Sequence, residues 1–416
     1  MNTNCIHIGK PFIEKFKDKV RLCSEIIDSK SKRILYFEVD EEFEKYLVTD
    51  RCDCFMLALL NNAMNVGKDI ICELGISEEL YFQLNTYFIP IVAKQMPDLT
   101  AIKIIAKPLN GLVSAYNAVG TGNSGGVDSF YTLVKYKNPE FGNYKLTHIL
   151  FNNISTADRD EQRIRTLFER DKIEKAQIAN ELGLKQIALF SNIYSFYKSQ
   201  FIFNYYFTSQ YASAPYALGK LFSKYYYSSG VSVTDFSMDH NTIKDAAYYD
   251  IFTLECLSTK ALKFYSAGSE VGRLEKTEFI ATNPTVQKHL QVCAIEQSSG
   301  FYENNDKLLE KLNCGKCGKC LRTISTLYGL GCLDKFENVF DLTFFKYHRK
   351  RFIANELATD GHTFLEEIIP LLKSKNLLPT TSIIFAKFLK PYRKLRSKLA
   401  QIKWLKRIYR KFFKRK

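Results

Sequence analysis

The sequence predicts a doubly wound α/β fold, and three observations carry that expectation. From residue 101 onward, apolar runs alternate with segments of helical periodicity, the pattern of a parallel sheet with crossover helices. One of these runs leads directly into a glycine-rich loop and then a helix with one apolar face. The chain has 416 residues at 46% hydrophobic content, enough for two or three packed units. With 25% charged residues, 10 Pro and 20 Gly, the composition excludes a disordered or fibrous protein.

Residues 1–112 read as a small N-terminal α/β domain, with strands expected over 33–39, 69–72 and 88–93 and a helix over 54–64. Cys52 and Cys54 are too closely spaced for a two-residue metal knuckle and read as buried small hydrophobes. Over 113–292 the alternation predicts strands at 115–119, 146–152, 186–190 and 225–233. A charged helix is expected over 158–182, closed by Gly183. A further strand at 290–292 introduces a cysteine-rich knuckle and helical extension over 293–388. Pro391 then sets off a basic tail, 389–416.

The sharpest chemical signal is the loop Gly120-Thr-Gly-Asn-Ser124-Gly125-Gly126-Val127-Asp128-Ser129. Adjacent glycines let the backbone approach a ligand closely, and free N–H groups with the helix dipole favour phosphate oxygens. Ser124 and Ser129 add hydroxyl donors. Asp128 beside an anion calls for a divalent cation between them, so Mg2+ is expected. The Gly-Lys-Ser/Thr ending of a Walker A loop is missing, which argues against ordinary γ-phosphate cleavage.

Between strand and helix, Ser-Gly-Gly-Val-Asp-Ser resembles the PP-loop of the ATP pyrophosphatases, the adenine nucleotide alpha-hydrolase-like superfamily. The resemblance implies a Rossmann-like sheet of the PP-loop type. It also implies ATP cleaved between the α and β phosphates, with AMP passed to a carbonyl or carboxylate oxygen and then displaced by nitrogen or sulfur. Asp128 is the expected catalytic residue, with Ser124, Gly125, Gly126, Val127 and Ser129 in the nucleotide cradle.

The second signal is Cys314-Gly-Lys-Cys317-Gly-Lys-Cys320, with Cys293 upstream. Two-residue spacings let thiolates turn around one ion, and four cysteines with no open position point to structural Zn2+, with an iron–sulfur cluster as the alternative. A PP-loop followed by such a set resembles the 7-cyano-7-deazaguanine synthases, which turn a carboxylate into an amide and then a nitrile. That resemblance covers about residues 113–322 and implies a phosphate-side role for Lys276, in Lys276-Thr-Glu-Phe-Ile280. The gap from Cys293 to Cys314 is longer than in that family, and its Asp-Cys substrate segment is not recognisable around 235–239. The chain therefore reads as an outlying relative with a different acceptor.

Secondary candidates are Asp235 and Asp250 for metal or substrate contacts and His240 as a base. Arg322 is read as an anion contact or a brace of the knuckle, and Cys256 and Cys332 as sulfur carriers or inert core residues. Aromatic runs at 205–207 and 225–227 read as packing rather than base stacking. The net charge is +15, but thirteen Lys or Arg and no acid lie from Lys390 onward, which leaves +2 for everything before. There Leu395, Leu399, Ile402, Leu405, Tyr409 and Phe412 recur at helical spacing, with Trp404 and Phe413 at the margins. This predicts a basic amphipathic helix suited to an anionic membrane surface or, alternatively, RNA.

No run of eighteen apolar residues and no secretory leader pattern is present, and the eleven cysteines lack the spacing of a disulfide framework. A cytoplasmic protein is expected, peripheral at the inner membrane face through its tail. The expected activity is AMP- and pyrophosphate-forming adenylation followed by nitrogen transfer onto a small molecule or glycan precursor. No glutaminase segment is apparent, so ammonia or a separate nitrogen donor protein is required. The alternatives are a tRNA-thiolating enzyme and a non-catalytic adenine-nucleotide sensor.

Overall fold

The structure, a computed structural model, describes residues 4–29, 31–111, 113, 115–154, 156, 158–197, 203–243, 245–293, 311–358 and 363–401. It separates into two units, the first running to Gly272 and the second beginning at Arg273.

The first unit opens with β1 (Cys5–Ile8), β2 (Phe12–Phe16), β3 (Lys19–Asp28) and β4 (Ser31–Asp40), followed by helix α1 (Asp53–Val66). Then come β5 (Asp69–Cys72), β6 (Ile76–Ser77), α2 (Glu78–Gln83), α3 (Ile89–Gln95), β7 (Ile104–Ile105) and β8 (Pro108–Leu109). Strands and helices alternate in its second half: β9 (Ala118–Thr121), α4 (Val127–Lys137), β10 (His148–Asn152), α5 (Glu161–Leu182) and β11 (Lys185–Ser191). It continues with α6 (Phe203–Ala217), β12 (Phe222–Ser228), α7 (Asp250–Leu257) and β13 (Lys263–Ala267).

The five strands of this second half are parallel and lie in the order β13-β12-β9-β10-β11. Winding begins at β9, proceeds to β10 and β11 on one side, then returns to β12 and β13 on the other. This is the Rossmann-like arrangement expected, with β9 at the point where strand order reverses. All four residues of β9 are buried, as a strand covered on both faces requires. The helix expected over 158–182 forms as α5: Asp160 caps it by accepting from the Arg163 N–H at 3.0 Å, and Gly183 closes it at φ 66°.

The N-terminal segment does not pack as a separate body. Strand β11 pairs antiparallel with β4 through Phe190↔Glu38 and Ser191↔Phe37, so one eleven-stranded mixed sheet runs through the whole unit. Asn192 extends the joint, accepting from the Tyr36 N–H at 3.0 Å and donating to the Ile34 carbonyl at 2.8 Å. Beside it, Glu38 is 5% exposed and takes Arg21 at 2.7 Å and Arg165 at 2.5 Å. Burial opposes its charge, yet the hydrogen bonds from Arg165 and Arg21 hold its carboxyl below the usual range. A single apolar core links Ile6, Phe37, Phe55, Leu150, Leu189 and Phe264 across the expected boundary at 112. The texture change near residue 101 marks a change of topology, since β11 would be an open edge without β4.

The strand expected over 115–119 forms later, at Ala118–Thr121, and three other expected strands are corrected. Residues 88–93 lie in a π turn, Leu84–Phe88, that runs into α3, because Phe88, Ile89 and Val92 share a helical face and are all buried. The strand expected over 225–233 ends at Ser228, and a short 3-10 turn, Val233–Asp235, follows. Residues 290–292 are irregular.

The second unit is helical: α8 (Arg273–Ile280), α9 (Pro284–His289), α10 (Gly318–Gly329), α11 (Thr343–Leu357), α12 (Thr363–Ser374) and α13 (Thr380–Gln401). Gly329 lets α10 and α12 approach closely, since a Cβ there would lie 2.6 Å from Leu371. Helix α13 runs through Pro391, so the expected break at the tail is absent. The amphipathic pattern from Ile402 onward lies outside the described residues. No described helix is long and apolar enough to cross a membrane.

A fragment starting at Val113 strips β4 from β11 and opens the shared core, so it should lose the cooperative thermal transition of the full chain by circular dichroism. His148, pushed down to about 4 by burial and by Lys185 opposite it, is neutral when folded. Its contribution is full above the ordinary histidine value near 6.5 and is lost as pH falls toward 4. Denaturant unfolding of His148→Gln from about pH 7 to 4 should lack that part of the decline.

Candidate functional site

Loop 122–126 leaves the carboxyl end of β9 between β10 and β12, where open α/β sheets bind ligands. Gly125 adopts φ 76°, a conformation that favours glycine. Gly120 is required by packing, since a Cβ would meet the Phe222 ring at 2.6 Å.

The loop is braced by its own side chains. Asn123 Oδ1 accepts from the Gly125 N–H at 3.0 Å, and Ser124 Oγ accepts from the Gly126 N–H at 3.3 Å. Ser129 Oγ accepts from the Ser124 N–H at 3.1 Å and donates to the Gly122 carbonyl at 3.2 Å. Ser129 therefore shapes the loop instead of offering its proton outward, a correction to the reading of both serines as ligand donors. Ser124 is exposed and Ser129 buried, in keeping with that division.

Gly126 caps α4 without a side-chain bond, so the helix N-terminus opens onto the loop with no side-chain cap. Asp128 is partly buried in that turn, its carbonyl accepting from Thr132 Oγ1 at 3.1 Å. Asn123 is 5% exposed, and its Nδ2 is a buried donor with no partner. The sequence pattern does not single out Asn123, because nothing in one sequence distinguishes it from an ordinary turn residue.

Other candidates settle differently. Asp250 is 3% exposed at the start of α7 and accepts from Ser229 Oγ at 2.9 Å and Ser266 Oγ at 3.1 Å. It ties together the ends of β12 and β13. Asp235 is partly exposed in its 3-10 turn, and His240 is exposed. Lys276 is 1% exposed on α8, in the second unit. Burial pushes the Cys256 thiol up to about 12 and raises that of Cys332, which makes both poor nucleophiles near neutrality. Tyr225 and Tyr226 are buried in the sheet, as the packing reading expects, while the side chains of residues 205 and 206 lie outside the described ones.

In the second unit the structure brings Cys293, Cys314, Cys317 and Cys320 together, with all four sulfurs within 4.8 Å of one another. Cys314 Sγ and Cys320 Sγ stand 3.9 Å apart. Thiolates at about 2.3 Å from a tetrahedral ion lie roughly 3.8 Å apart, so the cluster could hold one metal ion. A polynuclear iron–sulfur cluster keeps its thiolates further apart because sulfides stand between the irons, which suits these distances less well.

The backbone around the sulfurs is arranged for negative charge. Cys314 Sγ accepts from the Lys316 and Cys317 N–H groups at 3.4 Å each, and Cys317 Sγ, at the cap of α10, accepts from the Cys320 N–H at 3.5 Å. Gly315, at φ 66°, cannot be replaced, since a Cβ would sit 1.8 Å from the Asp341 carbonyl oxygen. Contact with the Cys293 and Cys317 sulfurs, together with burial, drives the Cys320 thiol far upward. Four thiolates crowd one another this way unless a cation lies among them.

Cys293 is placed by Asn313, a residue the spacing argument missed. Asn313 is 1% exposed, and its Oδ1 accepts from the Val292 and Cys293 N–H groups at 2.7 and 3.0 Å. Its Nδ2 donates to the Leu290 and Val339 carbonyls at 2.7 and 3.0 Å. One side chain thus holds the distant fourth cysteine against the contiguous three. On α10, burial lowers the pKa of the Arg322 guanidinium, against the opposing pull of Glu356 and the Cys317 sulfur.

Comparison with known protein families, with curated proteins and with solved structures finds no match for this chain. The class that the geometry defines is an α/β protein with a Rossmann-like, mostly parallel sheet and a four-cysteine cluster able to hold a metal ion.

Asn313→Ala removes the tie to Cys293, so a bound metal should be lost to a chelator about tenfold faster than from the unaltered protein, as followed with a chromophoric chelator.

Proposed function

We propose that the chain is an ATP pyrophosphatase of the PP-loop type that adenylates a carboxylate or carbonyl group on a small molecule or glycan precursor and then transfers nitrogen to it. The observation that carries this reading is the loop Ser124-Gly-Gly-Val-Asp-Ser129 at the strand-order reversal, opening onto a first turn of α4 that no side chain caps. A loop braced in advance needs no reorganisation when phosphate arrives, and the helix N-terminus favours the charge that develops on the phosphates.

In the proposed reaction a substrate carboxylate oxygen attacks the α-phosphorus of ATP and pyrophosphate leaves. Ammonia then attacks the activated carbonyl carbon, AMP departs with the bonding pair, and the nitrogen loses a proton to give the amide. Asp128 would hold Mg2+ against the phosphates, and Ser124 Oγ and the α4 N–H groups would contact them. The four-cysteine set is assigned structural Zn2+, since four protein thiolates leave no position for substrate. Nitrogen is preferred over sulfur because Cys256 and Cys332 are held in their thiol forms, while Cys293, Cys314, Cys317 and Cys320 belong to the closed set. No partner protein or RNA is needed for this chemistry beyond a nitrogen source.

AMP and pyrophosphate should accumulate from ATP only when an acceptor pool and ammonia are supplied. Asp128→Ala should abolish both while leaving the thermal transition in place. ADP as product would overturn the reading. Tight nucleotide binding without turnover under any pool would make the protein a sensor, and sulfur-modified nucleosides lost on deletion would make it a tRNA-thiolating enzyme.

A further inference from the structure

The second unit carries a surface that the nucleotide reading leaves unused. Helix α13 packs with α11, and its Ser382 and Ala386 are buried, with Ser382 Oγ donating to the Lys350 carbonyl at 2.7 Å. Leu389, partly buried, continues that packed stripe at helical spacing.

A neighbouring side of α13 is apolar and faces water. Ile384 is 52% exposed, Phe388 72% and Tyr392 60%, at four-residue intervals, and Phe385 beside them is 47% exposed. In sequence, Leu395 and Leu399 follow at the same three- and four-residue spacing. Isolated exposed apolar residues are ordinary, but a row of two large aromatics and an isoleucine on one helix face is an interaction surface.

Charge says what covers it. From Thr380 to Gln401 α13 contains no carboxylate, and exposed Lys387, three residues after Ile384, flanks the row. Helix α11 contributes exposed Lys346, Lys350 and Arg351, with no acid before Glu356. This second basic run lies outside the tail. Packed helices lie about 8–10 Å apart, close to one Debye length at physiological salt, so the cations of α11 add to the positive potential around the row.

We propose that α11 and α13 form a docking face for an anionic lipid bilayer, in which Ile384, Phe388 and Tyr392 enter the headgroup boundary and the lysines and arginines engage lipid phosphates. Two arguments select this occupant. RNA would use the charges but has little use for an isoleucine and aromatic row, whereas a second copy of this chain would set lysines against lysines. The proposal is independent of the reaction assigned to the glycine loop.

The test uses the full-length protein with sedimented vesicles of phosphatidylcholine alone or with about 30% phosphatidylglycerol. Binding is expected only to the anionic vesicles and should fall as salt rises. Phe388→Glu should weaken it by about tenfold or more, and Lys346→Glu with Lys350→Glu by several-fold, with thermal melting unchanged because these side chains point into water. Equal binding to neutral and anionic vesicles, or Phe388→Glu binding like the unaltered protein, would overturn the proposal. Single-stranded RNA bound equally by Phe388→Glu, with no vesicle binding, would assign the face to nucleic acid instead. Vesicle binding and AMP formation are measured separately, so either reading can fail without the other.

Discussion

Parallel strands cannot be joined by hairpins, so each of β9 to β12 must be followed by a connection that crosses back over the sheet before the next strand begins. With β9 in the middle, the first crossover leaves on one side and the later ones return on the other. In sheets wound this way a crevice forms outside the carboxyl end of the central strand, where the crossovers part. Everything proposed for the glycine loop depends on that crevice. The loop needs glycine at 125 for its backbone and at 120 for packing, and it needs Ser129 and Asn123 to hold its amides in place.

The same sheet explains why the N-terminal residues belong with the rest of the larger unit. An edge strand in a parallel sheet presents unpaired N–H and C=O groups, and β4 supplies partners for those of β11. The joint is reinforced by charge, because Glu38 is kept ionised in a buried place by two arginines from different elements. Removing β4 leaves both arginines without Glu38 and the edge of β11 unpaired, so the larger unit is held together by requirements that no single segment meets alone.

The cysteine cluster follows a different logic. Three of its ligands are local, set by a turn at Gly315 and the first turn of α10, and their negative charge is met by nearby backbone N–H groups. The fourth arrives from a segment well upstream in sequence. Its position depends on Asn313, which makes four hydrogen bonds from a fully buried side chain. A metal there would close the segment between Cys293 and Cys314 as a crosslink does, in a unit whose described elements are helices.

Local chemistry is written in contiguous residues. The loop with its strand before and helix after, the Gly183 helix stop, the three-cysteine turn and the concentration of positive charge at the end are all of this kind. Short-range sterics and spacing fix such features, so they are legible without a fold. Features that need partners from far along the chain were settled only by packing. Burial of one face turned 88–93 into helix, β4 joined β11, Asn313 brought Cys293 to its three companions, and Asp250 and Ser129 became braces. Packing also left Phe388 and Tyr392 in water beside the stripe that packs with α11. Each of these depends on which surfaces meet, and a linear pattern records only which residues are available to meet.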